Sequence, residues 1–306
     1  MSNVLLIGGS GFLSGTLAHL AVEHGLTVYA LTRGLRPLPA GVRGIIADRT
    51  DPDGIVEAVD IAQRAARAGS GWDLVVDCIG YEPQDARQDL EVFRDRAAQF
   101  VFVSTDFVYD PAHRAFPQPE ESEHYLTTGY GGKKRACELE FINGDAGAMR
   151  WTIVRPCHIY GPGSLLGCLP THGRDPELLN RLRAGDALKL VGAGTYLQQP
   201  IYAPDLAALI LSLMGNEQVD RKVFCTAGPE VVESREYYRL IAETLGARLR
   251  IEEVPLEAYR AAHPEHASFL CHRIYRQDRL RAAGLAVPST PLAVGLQAHV
   301  NSLLSR

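Results

Sequence analysis

An apolar run, Val4-Leu5-Leu6-Ile7, passes without a break into Gly8-Gly9-Ser10-Gly11-Phe12-Leu13-Ser14-Gly15. No other junction in the 306-residue chain constrains the fold as strongly. A short apolar run bounded by glycines reads as a strand, and Gly15–His24 carries a helical pattern. Glycines at such a turn allow a sharp reversal and let backbone amides approach a pyrophosphate, whose charge the helix N-terminus favours. Gly8, Ser10, Gly11, Phe12 and Leu13 are therefore candidate dinucleotide-binding residues. Where the fingerprint has a third glycine the chain carries Ser14, still small enough for the helix to pack closely on the strand.

The alternation continues along the first half. Strands are expected at Val4–Ile7, Thr27–Leu31, Gly44–Ala47, Leu74–Cys78, Phe100–Val103 and Thr152–Val154, with helical stretches at Gly15–His24, Ile55–Ala68 and Arg87–Arg96. The strands are almost wholly apolar, as strands covered on both faces are. This pattern predicts an α/β fold, a Rossmann-type doubly wound parallel sheet. After Arg155-Pro156 the texture changes: Tyr160-Gly161-Pro162-Gly163 is a turn, and Leu165–Asp175 reads as a loop. Helices follow at Pro176–Ala184, with Asp175 as N-cap, and at Ala203–Leu213 and Ser234–Leu245. The expected division is a dinucleotide-binding domain over residues 1–160, to which 195–225 return, and a substrate-binding cap over 161–194 and 226–306.

The second strand ends in Thr32-Arg33-Gly34, where an NAD enzyme usually has an acidic residue for the ribose hydroxyls. Arg33, with Arg36 close behind, suits the extra phosphate of NADP; the alternative is a solvated turn residue. NADP is the expected cofactor, with NAD possible. Asp48, ending the third strand, is placed either to accept a bond from the adenine amino group or simply to cap the turn.

Tyr130 and Lys134 lie four apart and share one helical face. A free phenol ionises near pH 10, about three units too high for a base at neutrality. An ammonium one turn away, together with the positive nicotinamide of an oxidised cofactor, favours the phenolate, and the same phenol can return its proton when a ketone is reduced. An exposed helix pair is the ordinary reading of the two residues taken alone. Ser104-Thr105-Asp106 ends the strand before them, so the hydroxyl of Thr105 or Ser104 can bond the substrate oxygen that Tyr130 serves; a turn at a strand end is the ordinary reading there.

Taken together, the glycine loop, Ser104-Thr105-Asp106 with Val108-Tyr109, Tyr130/Lys134, and Arg155-Pro156 before Tyr160-Gly161-Pro162-Gly163 resemble the extended short-chain dehydrogenase/reductases, the NAD-dependent epimerase/dehydratase family. The glycine loop and Thr32-Arg33-Gly34 resemble its atypical members. The resemblance implies Thr105 as the catalytic hydroxyl, Tyr130 as acid/base, Lys134 as the residue that holds the ribose and tunes the tyrosine, and His158 near the nicotinamide. It implies hydride exchange at a secondary alcohol or ketone, most readily of a nucleotide-activated sugar, with reductase favoured over epimerase. Dehydratases of the family follow the Thr with Asp and Glu; here Asp106 is followed by Phe107, which cannot transfer a proton. Ser104, Thr105, Asp106 and Tyr130 are the expected substrate contacts, with Arg174 and Arg273 as further candidates for a diphosphate, although solvated surface charge is the default for arginine. Homodimerisation through helices near Arg87–Arg96 and Lys133–Ile142 is likewise implied.

Composition limits the alternatives. A net charge of −5, from 31 basic and 36 acidic residues, gives no reason to expect nucleic acid or an anionic membrane surface as partner. The start lacks a signal-peptide pattern and no window reaches about 18 uninterrupted apolar residues, so a cytoplasmic protein with no membrane span is expected. Six scattered cysteines without a CxxC pair fit reduced thiols. His263-x-x-His266 has no adjoining ligand cluster, so no metal is expected. The competing class is a non-catalytic NADP-binding sensor or scaffold, which would have no need of Thr105, Tyr130 and Lys134 together.

Overall fold

The computed structural model describes residues 2–66, 71–168 and 170–305. Its first half comprises β1 (Asn3–Ile7), α1 (Phe12–Glu23), β2 (Thr27–Thr32), β3 (Arg43–Ile46), α2 (Pro52–Ala65), β4 (Leu74–Asp77), α3 (Pro83–Phe93), β5 (Gln99–Val103), α4 (Gly129–Asn143) and β6 (Arg150–Pro156). There follow β7 (Ile159–Tyr160), α5 (Leu178–Ala184), β8 (Ala187–Val191), β9 (Leu197–Gln198), β10 (Ile201–Tyr202), α6 (Ala203–Ser212) and β11 (Lys222–Thr226). The chain closes with β12 (Val232–Glu233), α7 (Ser234–Thr244), β13 (Arg250–Val254), α8 (Leu256–Ala262), α9 (Asp278–Ala282) and α10 (Leu292–Leu304).

Seven strands pair in parallel in the order β11-β6-β5-β4-β1-β2-β3. The chain runs outward from β1 to β3, then returns to place β4 on the other side of β1. A ligand crevice opens beyond the strand ends at that switch point. The doubly wound α/β sheet expected from the sequence is the observed fold.

Alternate residues of β1 feed opposite faces. Val4 and Leu6 pack with Leu17 of α1 and Ile210 of α6, while Leu5 and Ile7 pack with Val59 of α2, Leu90 of α3 and Phe141 of α4. Burial on both faces is why the strands read as continuous apolar runs. Phe224 of β11 and, further on, Tyr275, Leu280 and Leu285 join the core that α1 covers. Tyr160, Leu178, Leu188, Tyr237 and Leu296 form a separate core among the later elements.

Helix starts differ from the sequence reading for local reasons. α3 begins at Pro83 rather than Arg87, because the Glu82 amide donates to Asp85 Oδ2 at 3.0 Å and Pro83 fits the first turn. α5 begins at Leu178 rather than Pro176. Asp175 Oδ1 accepts from the Glu177 amide at 2.8 Å while its Oδ2 faces His172 Nδ1 at 2.8 Å, so Asp175 holds a turn and Glu177 becomes the N-cap. α2 is capped by Asp51, which accepts from the Gly54 amide at 3.1 Å. The last expected residues of that helix, Arg67 and Ala68, lie outside the described residues, as does Leu169 of the Leu165–Asp175 loop. All six cysteines are free and five are buried.

Candidate active site

The glycine loop leaves β1 with Gly8 at φ 113° and Gly9 at φ 55°, in the left-handed region that favours glycine. A Cβ on Gly9 would fall 2.3 Å from that of Ala30, so the loop lies directly on β2. Ser14 is buried, and its Oγ accepts from the Gly11 amide at 3.0 Å. The hydroxyl at the departed third-glycine position thus fastens the loop. α1 has no acidic residue in its first turn, which leaves its N-terminus favourable to an anion. A dinucleotide fits this cradle.

A crevice of about 560 Å³ begins here, with Gly11, Phe12, Leu13 and Ser14 at one end and Thr105, Tyr130 and Lys134 in its walls. A depression of about 570 Å³ elsewhere, lined by Glu120, Arg135, Lys222 and Arg279 among others, contains none of the expected site residues. The ends of β2 and β3 bring Arg33 and Asp48 near each other: both are exposed, and Arg33 adds to the lowering of the Asp48 carboxyl. The larger cause is Thr50, whose amide and hydroxyl donate to Asp48 Oδ1 at 2.9 and 2.8 Å. Thr32 Oγ1 accepts from the Gly34 amide at 3.1 Å, shaping the turn that presents Arg33.

Tyr130, in the first turn of α4, is half-exposed, whereas Lys134 one turn later is buried. Lys134 Nζ donates to the carbonyls of Val103 at 2.6 Å and Gly80 at 2.7 Å, and lies 4.5 Å from the centre of the Phe102 ring. Burial pushes the lysine below its ordinary value, opposed chiefly by Asp77. The sequence reading expects Lys134 to lower the Tyr130 phenol. The protein's own groups push the phenol up to about 12, first by burial and then by Tyr81, with partial relief from the Thr105 hydroxyl. The ammonium is directed at backbone carbonyls rather than at the phenol.

Of the two candidate hydroxyls, Ser104 donates to Glu138 Oε1 at 2.6 Å, within the buried Glu138–Arg155 pair. Thr105 is left facing Tyr130. Asp106 is also taken: Arg273 grips both its oxygens at 2.8 and 2.9 Å, and the Tyr275 hydroxyl donates to it. Burial alone would raise its carboxyl, but Arg273 and Arg114 outweigh that and hold it below the usual range. Arg273 and Asp106, expected as substrate contacts, therefore satisfy each other in the pocket wall. Arg174, at φ 52° in the loop beyond Gly167, lines the same crevice and has no ion-pair partner among the described residues. His158 also lines it; burial, then Arg273 and Arg174, push its imidazole down to about 3, so it is neutral.

Sequence reasoning missed the aromatic walls. Tyr81 and Phe107 lie 6.4 and 6.3 Å from the Tyr130 ring, and Phe269 lies 4.9 Å from Phe107. It also missed Arg49 and Asp77, whose only local signal is an acid at the end of an apolar strand.

A model of the NAD dependent epimerase/dehydratase family matches residues 4–225. The chloroplast stem-loop binding protein of 41 kDa b from Arabidopsis thaliana is 26% identical over 244 residues, 75% of this chain and 59% of that protein. The chain thus spans less than two thirds of that relative's length. The 2'-dehydrokanamycin reductase of Streptomyces kanamyceticus is 28% identical over 291 residues, 92% of this chain and 77% of the relative. Among solved structures, a UDP-glucose 4-epimerase with UDP-glucose from Thermotoga maritima superposes with a TM-score of 0.77 at 19% identity, covering 99% of both chains, a likeness of fold.

Proposed function

The chain belongs to the NAD dependent epimerase/dehydratase family, and we propose that it is an NADP-dependent reductase acting at a ketone of a nucleotide-activated sugar, with Tyr130 as acid/base. The observation that carries this reading is one crevice lined by Thr105, Tyr130 and the buried Lys134 together with Gly11, Phe12, Leu13 and Ser14 of the glycine loop. When bound, the nicotinamide supplies the hydride. Thr105 orients the substrate oxygen, and Tyr130 Oη donates its proton to that oxygen as the carbonyl becomes an alcohol. A phenol held near 12 is protonated at neutrality, the form that a ketone reduction needs. Lys134 would hold the ribose of the bound cofactor, and the neutral His158 ring would wall its nicotinamide end.

Arg33 supports NADP over NAD, and Arg174 is the cation available to a diphosphate. Elimination is disfavoured, since Phe107 stands where an acid is needed and Asp106 is locked by Arg273. A homodimer through α3 and α4 belongs to this reading; exposed Leu139 and Ile142 on α4 support it. Among the described residues no helix is long and apolar enough to cross a membrane; a cytoplasmic setting is proposed.

The test is Tyr130→Phe with NADPH and a keto-sugar nucleotide. Turnover should fall by about 100-fold or more, the scale of general acid catalysis, with NADPH affinity unchanged. Equal turnover would remove Tyr130 from the chemistry, and wild-type protein that binds NADPH without turning over any ketone would favour the sensor reading.

A further inference from the structure

An ion cluster next to the crevice takes no part in the proposed proton transfer. Arg49 follows the Asp48 turn, and its Nη1 donates to Asp77 Oδ2 at 2.9 Å. Its Nη2 donates to Asp89 and to the Asp85 carbonyl, the latter at 3.1 Å. Asp77 and Asp89 are both buried and share this one guanidinium. Their other contacts differ. Asp77 Oδ1 accepts from the Ile79 amide at 2.7 Å and the Gly80 amide at 3.0 Å, fixing the turn that carries Ile79 and Tyr81 into the crevice wall. The carbonyl of Gly80 in turn receives Lys134 Nζ. A Cβ on Gly80 would fall 2.4 Å from Asp77 Oδ2, so the turn is packed directly on that carboxylate. Asp89, on α3, does not line the crevice.

We propose that Asp77, anchored by Arg49, is a positioning residue for Lys134: it sets the Gly80 carbonyl that receives the ammonium and provides its buried counter-charge. Among the described residues, Asp77 is the carboxyl that acts most on the lysine, and it shares one guanidinium with Asp89, whereas Glu138 has two arginines to itself. The Cys78 and Cys137 thiols are pushed up to about 12 by burial, Glu138 is held by Arg155 and Arg135, and the Phe102 and Tyr81 rings are uncharged. Burial, with the charge of Asp77 adding to it, raises Asp89 well above its ordinary value. Burial also works against Asp77, but Arg49 outweighs it and keeps that carboxyl low. Of the two carboxyls, Asp77 is the one kept low, and it is the one whose turn receives the lysine.

Calling Lys134 catalytic rests on the proposed function, but the test needs no turnover. The chain has four lysines, Lys133, Lys134, Lys189 and Lys222, so side-chain-labelled lysine can be titrated residue by residue by NMR. In the wild type Lys134 should titrate below the other three. Asp77→Asn keeps an acceptor for the two amides but removes the charge, and should move Lys134 lower by about one pH unit or more. Asp89→Asn keeps an acceptor for Arg49 at a position outside the crevice wall and away from the Gly80 turn, and should leave Lys134 in place. Gly80→Ala keeps every charge while displacing the turn, and should shift Lys134 in the same direction by less. Equal shifts in Asp77→Asn and Asp89→Asn, or an unmoved Lys134 in Asp77→Asn, would overturn the proposal. Should Asp77→Asn not fold, an unmoved Lys134 in Gly80→Ala overturns it equally. A selective Lys134 shift in a protein that reduces no ketone would sink the proposed function and leave this inference standing.

Discussion

Two arginines line one crevice and differ in everything that matters to a substrate. Arg273 is 2% exposed and spends its guanidinium on Asp106, while Arg174 has no ion-pair partner among the described residues. Removing one partner of a buried pair leaves an uncompensated charge, so Arg273→Met should cost about 3–5 kcal/mol in urea unfolding. Arg174→Ala should leave the unfolding midpoint unchanged and weaken binding of a nucleoside diphosphate. Equal stability losses would mean that Arg174 is structural too. Arg33, exposed beside Asp48, makes a third contrast: Arg33→Ala should weaken NADPH at least tenfold more than NADH in a fluorescence titration, and an unchanged ratio would reduce it to a turn residue.

At the scale of elements, the glycine loop and the first turn of α1 act as one unit. Ser14 holds the Gly11 amide, a bond of the capping-box kind, so Ser14→Ala should lower stability by about 1 kcal/mol. Gly9→Ala meets both a left-handed backbone and the Ala30 Cβ, so the loop must move off β2 and the cradle with it. NADPH binding should fall far more than stability in that variant; a denaturation midpoint that drops while affinity holds would contradict this. The loop and its helix were legible in the sequence because their determinants are local: an apolar strand, a glycine turn and an amphipathic run. The start of α5 was not, since Asp175 is recruited by His172 into a turn that periodicity does not report.

For the whole molecule, buried ion clusters tie distant segments together and set its response to acid. Asp106 and Glu138 have folded values below the ordinary carboxylate range. Their contribution is present above about pH 4, where the unfolded carboxylates ionise, and is lost as pH falls through the lower folded values. Asp89 runs the other way: its raised value favours the fold at low pH and costs stability once pH exceeds the unfolded value. Urea midpoints measured from pH 7 down to about pH 3 should therefore fall in the wild type, and fall less steeply in a variant lacking the Asp106–Arg273 pair. An identical slope would show that this pair does not govern acid sensitivity.

The sequence by itself determined six of the seven sheet strands, the glycine turn after the first and the Tyr130/Lys134 spacing, because each depends on neighbours within a few residues or one helical turn. Tertiary structure alone decided which polar groups remain free to act. Asp106 meets Arg273 across 167 positions, and Arg49 reaches Asp77 and Asp89 across 28 and 40. Such pairings form only when strands order themselves and bury the charges against one another, and burial is what obliges a charge to find a partner. Chain proximity could mark Asp106 and Arg273 as candidate substrate contacts, but only the folded core shows that they satisfy each other, leaving Thr105, Tyr130 and Arg174 facing the crevice.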